Sequence, residues 1–444
     1  MDFQTIAAII FLIILTIFVL LKRKNLETKQ IIPYFLYFSM YKTQWGIKLM
    51  EFVGKKYSKP IIYFISILSF LGILLILAQI LGFSELGIYK LIIVIGLIII
   101  LFFIFVPFDY KMPLVGFLGM ILIGYGLISN IYVLFTKPEA VPGVGLVLPV
   151  KAKGIFFVPF FYWLISIFVI AVVHEFAHGL IARANNLRVK SSGFAFLGII
   201  IPIIPAAFVE PDEKELKKRP HKEQLNIFAA GPLSNIVVAL LFSLLLFILI
   251  PLSNASIEAN GVEVAEYVKD DQAFPAEKYS IKIGEVIKEI DNRPTPYVKN
   301  LSMILRSKKP NDVVKVKTDK SIYEINLAKN PENESLAYIG AYLKQSTKIK
   351  ENIKESYGEF LPKLLLWLTG HPYTSPGLIG FLILLNLGIG LFNLVPIGPL
   401  DGGRMLQLVL HRIFDKERGD KAWYFIGMFF LILIFVNVVA GFVR

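Results

Sequence analysis

The chain has 444 residues, with 46 Lys plus Arg against 33 Asp plus Glu and a formal net charge of +13. Hydrophobic residues make up 56% and charged residues 18%, against roughly 45–50% and 25% in ordinary soluble domains. That balance excludes a disordered chain or a nucleic-acid-binding tail as the main reading, so no nucleic-acid partner is expected. Cysteine is absent, which rules out a disulfide framework and a thiolate metal site.

Apolar runs near the ~20 residues needed to cross a ~30 Å hydrocarbon core fall at eight places. They are Thr5–Leu21, Ile61–Phe83, Leu91–Phe108, Pro113–Phe135, Ile155–Ala182, Ile227–Pro251, Gly377–Pro396 and Ala422–Val443. The pattern predicts a mainly α fold, a polytopic membrane helix bundle of about eight spans in a lipid bilayer. The first run is too long for a signal-peptide core and no small-residue cleavage site follows, so it reads as a retained helix.

Lys and Arg accumulate on the cytoplasmic side of membrane proteins. Residues 22–59, 183–226 and 404–421 hold nine, eight and five of them, whereas the alternate short segments hold only Lys90, then Lys137, Lys151 and Lys153. Both termini and the long segment 252–350 are therefore expected to be extracytoplasmic.

That long segment changes character over residues 257–345. Gly261–Val264, Glu285–Ile290 and Val313–Lys317 alternate apolar and polar residues as half-buried strands do, and Tyr297–Ser307 carries a helical spacing. A small folded α+β domain is expected there. Pro138–Pro159 reads as a loop or hairpin at the membrane interface. Gly193–Val209 is apolar but interrupted by Gly193, Gly198, Pro202 and Pro205, too irregular for a spanning helix. Such backbone is tolerated at membrane depth only where protein or a cavity covers it.

The sharpest chemistry is Val172-Val-His174-Glu175-Phe-Ala-His178-Gly179, inside the fifth apolar run. On a helix, His at i and i+4 share a face, so both imidazoles can address one metal ion. Glu175 then stands where it can take a proton from an attacking water. Helix packing alone is the competing explanation, but each such residue costs ~2.5–3.5 kcal/mol at a membrane helix centre, and three adjacent ones call for a function. A catalytic zinc site has three protein ligands, so a third must come from His, Asp or Glu. His221, His371 and His411 read as solvated surface histidines. Asp401 stands in Asn393-Leu-Val-Pro396-Ile-Gly398-Pro399-Leu400-Asp401-Gly402-Gly403, where Pro and Gly unwind the helix; a plain Asp-Gly turn is the alternative there.

The paired motifs, His-Glu-x-x-His on one span and Asn-x-x-Pro-x-x-Pro-x-Asp-Gly on a later one, resemble the site-2 protease family of intramembrane zinc metalloproteases. Phe228-Ala-Ala-Gly231-Pro232-Leu-Ser-Asn235 resembles that family's third signature, and the stretch Gly193–Glu210 resembles its membrane-associated β-structure. The resemblance implies one zinc ion held by His174, His178 and Asp401, with Glu175 as catalytic base and Asn393 as the catalytic asparagine near substrate or oxyanion. It gives Asn235 no ligand role, leaving helix packing or substrate contact. It further implies transmembrane protein substrates and an active site toward the cytoplasmic side. The domains become 1–135, N-terminal spans of unassigned role; 155–251, a first core half; 257–345, an insert; and 377–442, a second core half. The insert resembles a PDZ-like domain through Lys282–Pro294 and Tyr338-Ile-Gly340-Ala341, which implies capture of a peptide C-terminus; an ordinary strand turn is the alternative for the second stretch. Two other readings of the whole are a zinc transporter and a catalytically silent membrane scaffold.

Overall fold

The computed structural model describes residues 3–32, 36–83, 87–137, 139–198, 202–268, 273–371 and 375–443. It separates into two compact units, Met1–Leu244 with Phe381–Arg444, and Leu245–Gly380.

In hydrocarbon a chain segment must satisfy its own backbone, and each of the eight apolar runs contains a helix. In chain order the first unit has α1 (Phe3–Lys22), β1 (Leu26–Ile32), β2 (Leu36–Thr43), α2 (Ile47–Lys56), α3 (Ser58–Ile80), α4 (Ile88–Phe105) and α5 (Lys111–Thr136). It continues with β3 (Leu146–Leu148), β4 (Ile155–Phe157), α6 (Phe160–Ala184), β5 (Val189–Gly198), β6 (Pro202–Pro211) and α7 (His221–Ser256), which runs on into the second unit. There follow β7 (Ile257–Tyr267), β8 (Val286–Ile290), α8 (Val298–Arg306), β9 (Val313–Thr318), β10 (Ile322–Asn326) and β11 (Ala341–Ile349). The chain returns through α9 (Leu378–Asn393) and ends with α10 (Asp401–Ile413) and α11 (Lys416–Val443).

Among the described residues, six helices are long and apolar enough to cross a membrane, whereas α4 and α9 are shorter. Outward faces are apolar without cover, as lipid-facing surfaces are: Ile10, Ile13, Ile92, Ile104, Phe425 and Phe435 are all exposed. Inward faces close one core. Ile73 of α3, Met112 and Val115 of α5, Ile181 of α6, Leu233 and Ile236 of α7, Leu394 and Met405 pack together with almost no exposure.

Residues 22–59, read from sequence only as a basic segment between spans, fold into β1, β2 and α2. Together with the irregular stretch after α6 they build a four-stranded sheet of order β1-β2-β5-β6. Every pair is antiparallel, with Thr28 opposite Ser39, Tyr41 opposite Phe194, and Ser192 opposite Val209. The sheet stands against α1 through Phe18, whose ring centroid lies 5.8 Å from that of Phe196. In the interfacial stretch after α5, β3 and β4 pair in parallel rather than as a hairpin; Pro138 lies outside the described residues.

In the second unit, the strands expected at Gly261, Glu285 and Val313 and the helix expected at Tyr297 are present. One sheet runs in the order β10-β9-β8-β7-β11, and the short strand Arg293–Pro294 also pairs with β8. Its core joins Val262, Ile287, Ile290, Leu301, Val316 and Ile325. Removing buried methyl groups there leaves a cavity. Ile287→Ala should therefore lower this domain's stability by about 3 kcal/mol, read as faster amide exchange across β7, β8 and β9. Ile283→Ala, at a position 54% exposed, should change it by less than about 0.5 kcal/mol.

Candidate metal centre

The centre is built from α6, the part of α7 that lies in the first unit, and the first turn of α10. Helical spacing sets His174 and His178 on one face of α6, and their Nε2 atoms lie 3.1 Å apart. Asp401 Oδ2 closes the triangle, 3.1 Å from His174 Nε2 and 3.3 Å from His178 Nε2. Tetrahedral zinc with ligand bonds of 2.0–2.1 Å separates its ligands by about 3.3 Å, so the three atoms already stand at the edges of such a coordination shell. The two histidine side chains are 12% exposed and that of Asp401 13%, reachable yet largely removed from bulk solvent.

Local sequence explains how these groups get there. After Asn393 the helix stops, and Leu394–Leu400 with its two prolines forms an irregular link to α10. A Cβ on Gly402 would come within 2.1 Å of the Leu394 carbonyl oxygen, and one on Gly403 within 2.0 Å of that of Ile397. Only Asp-Gly-Gly lets the start of α10 lie so close against the link. From the first turn of α10, Asp401 faces both histidines.

The imidazoles are oriented from behind. His178 donates through Nδ1 to the Ile227 carbonyl at 2.7 Å, which leaves the Nε2 lone pair for a metal. His174 Nδ1 faces the side-chain nitrogen of Asn235 at 3.2 Å. Glu175 accepts a hydrogen bond from the Val209 amide of β6 at 2.9 Å, so the edge strand of the sheet holds this carboxylate beside the two histidines. Asn393 uses one N–H on the Ile389 carbonyl at 3.0 Å. His174, Glu175, His178, Asn393 and Asp401 line a cavity of about 570 Å³ shared with Met40, Phe208, Phe228 and Arg404.

Sequence reasoning missed Gly231. A Cβ there would lie 2.4 Å from His178 Nε2 and 2.6 Å from His174 Nε2, inside the volume that an ion bound by both would need. Glycine within a helix costs roughly 0.5–1 kcal/mol against Ala. Its place in Phe228-Ala-Ala-Gly231 was the available signal. The donor set of two imidazoles and a carboxylate suits zinc, and His174, His178 and Asp401 form a group able to hold a metal ion.

The other three histidines stay outside it. His221 opens α7 and is exposed. His371 is half-buried, with Nε2 2.6 Å from Thr347 Oγ1, which differs from the solvated residue expected. His411 pairs with Asp420 at 2.7 Å rather than with the nearer-in-sequence Asp415.

A model of peptidase family M50 matches residues 162–434. A Clostridium acetobutylicum protein carrying the name "Putative zinc metalloprotease" is 22% identical over 327 residues, which is 61% of this chain and 93% of that one. A Staphylococcus aureus protein of the same name is 25% identical over 310 residues, 59% and 69% of the two chains. An uncharacterized protein of Methanocaldococcus jannaschii is 26% identical over 280 residues, and the match spans 64% of that relative's length and 63% of this chain. Among solved structures, the PDZ domain of an SdrC-like protein from Listeria monocytogenes has 29% identity over 19% of this chain and 86% of its own, with a TM-score of 0.16.

Placing a methyl group between the imidazoles should abolish metal binding without unfolding α7. Gly231→Ala should lower zinc affinity more than the roughly 10–100-fold typical of outer-shell changes, measured by chelator competition on purified protein. Its thermal midpoint should stay near that of metal-free wild type.

Proposed function

Because the chain belongs to peptidase family M50, we propose that it is a zinc metalloprotease of the site-2 type, hydrolysing peptide bonds within or near membrane segments of other proteins. The observation that carries this reading is the triangle of His174, His178 and Asp401, with Glu175 held beside it by the strand that borders the cavity. Bound there, zinc would supply Lewis acidity toward a scissile carbonyl and toward water.

Glu175 takes the proton from the attacking water and returns it to the departing amine. Its bond to the Val209 amide occupies one carboxylate oxygen and fixes the direction in which the other faces. Asn393, with one N–H left over from its bond to Ile389, donates to the oxygen on which negative charge develops. A helical substrate hides its peptide groups and must unwind locally. In the sheet order β6 is a terminal strand, and it passes Glu175, so an extended substrate adding to that edge would present its backbone beside the base. A transporter would need ligands at entry and exit levels, whereas the described residues contain no second group of this kind.

The insert at 257–345 is proposed as a PDZ-like module that binds peptide termini by strand addition, for which β11 offers a terminal strand. The active site is assigned to the cytoplasmic side, with both termini and the insert opposite, on the Lys and Arg distribution. Purified Glu175→Gln in proteoliposomes should lose hydrolysis and keep zinc, whereas Asp401→Ala should lose both; full zinc in Asp401→Ala removes that residue from the centre. Since the chain has no cysteine, sidedness can be read from single cysteines at two exposed positions. One at Ser335 should react with an impermeant thiol reagent in intact cells, and one at Lys217 should not.

A further inference from the structure

A histidine that binds a metal through Nε2 carries its proton on Nδ1, and that proton needs an acceptor. His178 has one in the Ile227 carbonyl. His174 does not: its Nδ1 confronts the side-chain nitrogen of Asn235 at 3.2 Å, one hydrogen-bearing nitrogen against another once the metal-binding tautomer forms. At the same time Asn235 is fully buried and its Oδ1 has no hydrogen-bond partner among the described residues. An unsatisfied buried oxygen costs about 1–3 kcal/mol. Both defects have one remedy. Turning the carboxamide by half a turn about its Cβ–Cγ bond exchanges two ends of nearly equal size, and brings the orphan oxygen to Nδ1.

We propose that Asn235 is a positioning residue of the metal centre. In the metal-loaded protein its side-chain oxygen accepts the Nδ1 proton of His174 and holds that imidazole in the tautomer whose Nε2 lone pair faces the ion. This rests on the metal-centre reading above, and it assigns Asn235 neither to ligation nor to substrate. The role belongs to the oxygen, so a carboxylate at the same place fulfils it, whereas an apolar side chain of equal bulk does not.

The test is zinc affinity by chelator competition on the purified full-length protein, with thermal midpoints recorded alongside. Asn235→Asp should hold zinc within about threefold of wild type or more tightly, while Asn235→Leu and Asn235→Ala should bind roughly 10–100-fold more weakly. A packing role predicts another order: Asn235→Leu keeps its zinc, and Asn235→Asp, which buries a charge, loses most. Wild-type affinity in both Asn235→Leu and Asn235→Ala overturns the proposal, as does a loss in Asn235→Asp equal to that in Asn235→Ala. A His174→Ala control separates the two levels. If it retains zinc, the metal centre itself falls and the proposal with it; if it loses zinc while the apolar Asn235 variants do not, only the role of Asn235 falls.

Discussion

Two imidazoles and a carboxylate packed between apolar helices are tolerable only if every polar end has a partner, since an unsatisfied polar group in such surroundings costs several kcal/mol. Much of the first unit follows from that constraint. The Ile227 carbonyl of α7 takes the back of one imidazole, the side chain of Asn235 stands behind the other, and the Val209 amide of β6 takes the neighbouring glutamate. What remains is three atoms within 3.3 Å of one another. Two imidazole nitrogens and a carboxylate oxygen at that spacing suit a cation held between them.

Holding that geometry requires rigid support beneath it. His174 and Asp401 stand 227 residues apart in the chain, so no local structure can fix their separation. Packing does: Ile181, Leu233, Leu394 and Met405 share one buried core, tying α6, α7, the link after α9 and α10 to one another. The absence of side chains at Gly402 and Gly403 brings α10 against that link to within backbone contact. Asp401, in the first turn of α10, also sits where the helix dipole favours a negative charge.

The helices and the three residues that the structure groups were legible because each has a local cause. Hydrocarbon demands long apolar runs, and two histidines four apart need only a helix to converge. Asp401 was legible through the Pro and Gly that break its helix. The sheet was only half legible. Gly193–Val209 announced itself by being apolar and non-helical, but residues 26–43 were read for their charge. Their alternation, with Tyr37, Ser39, Tyr41 and Thr43 on one side of the chain, was there to be seen, yet strand pairing is a property of two segments. The partner of β2 lies about 150 residues further on, and nothing local specifies it. Gly231 was invisible for a related reason: its meaning is the space it leaves empty, which only the surrounding helices define.

The same long-range pairing sets an order of events during synthesis. Strands β1 and β2 leave the ribosome early, and a lone two-stranded hairpin is marginally stable at best. They acquire neighbours only after α6 has been made and β5 and β6 have followed it. Until then no Val209 amide is available to steady Glu175, and Asp401 arrives nearly two hundred residues later still. A partly synthesised chain thus carries both histidines with neither the Val209 contact to Glu175 nor the Asp401 carboxylate beside them. The group of His174, His178 and Asp401 is completed only by the last quarter of the chain, after the preceding helices have been made.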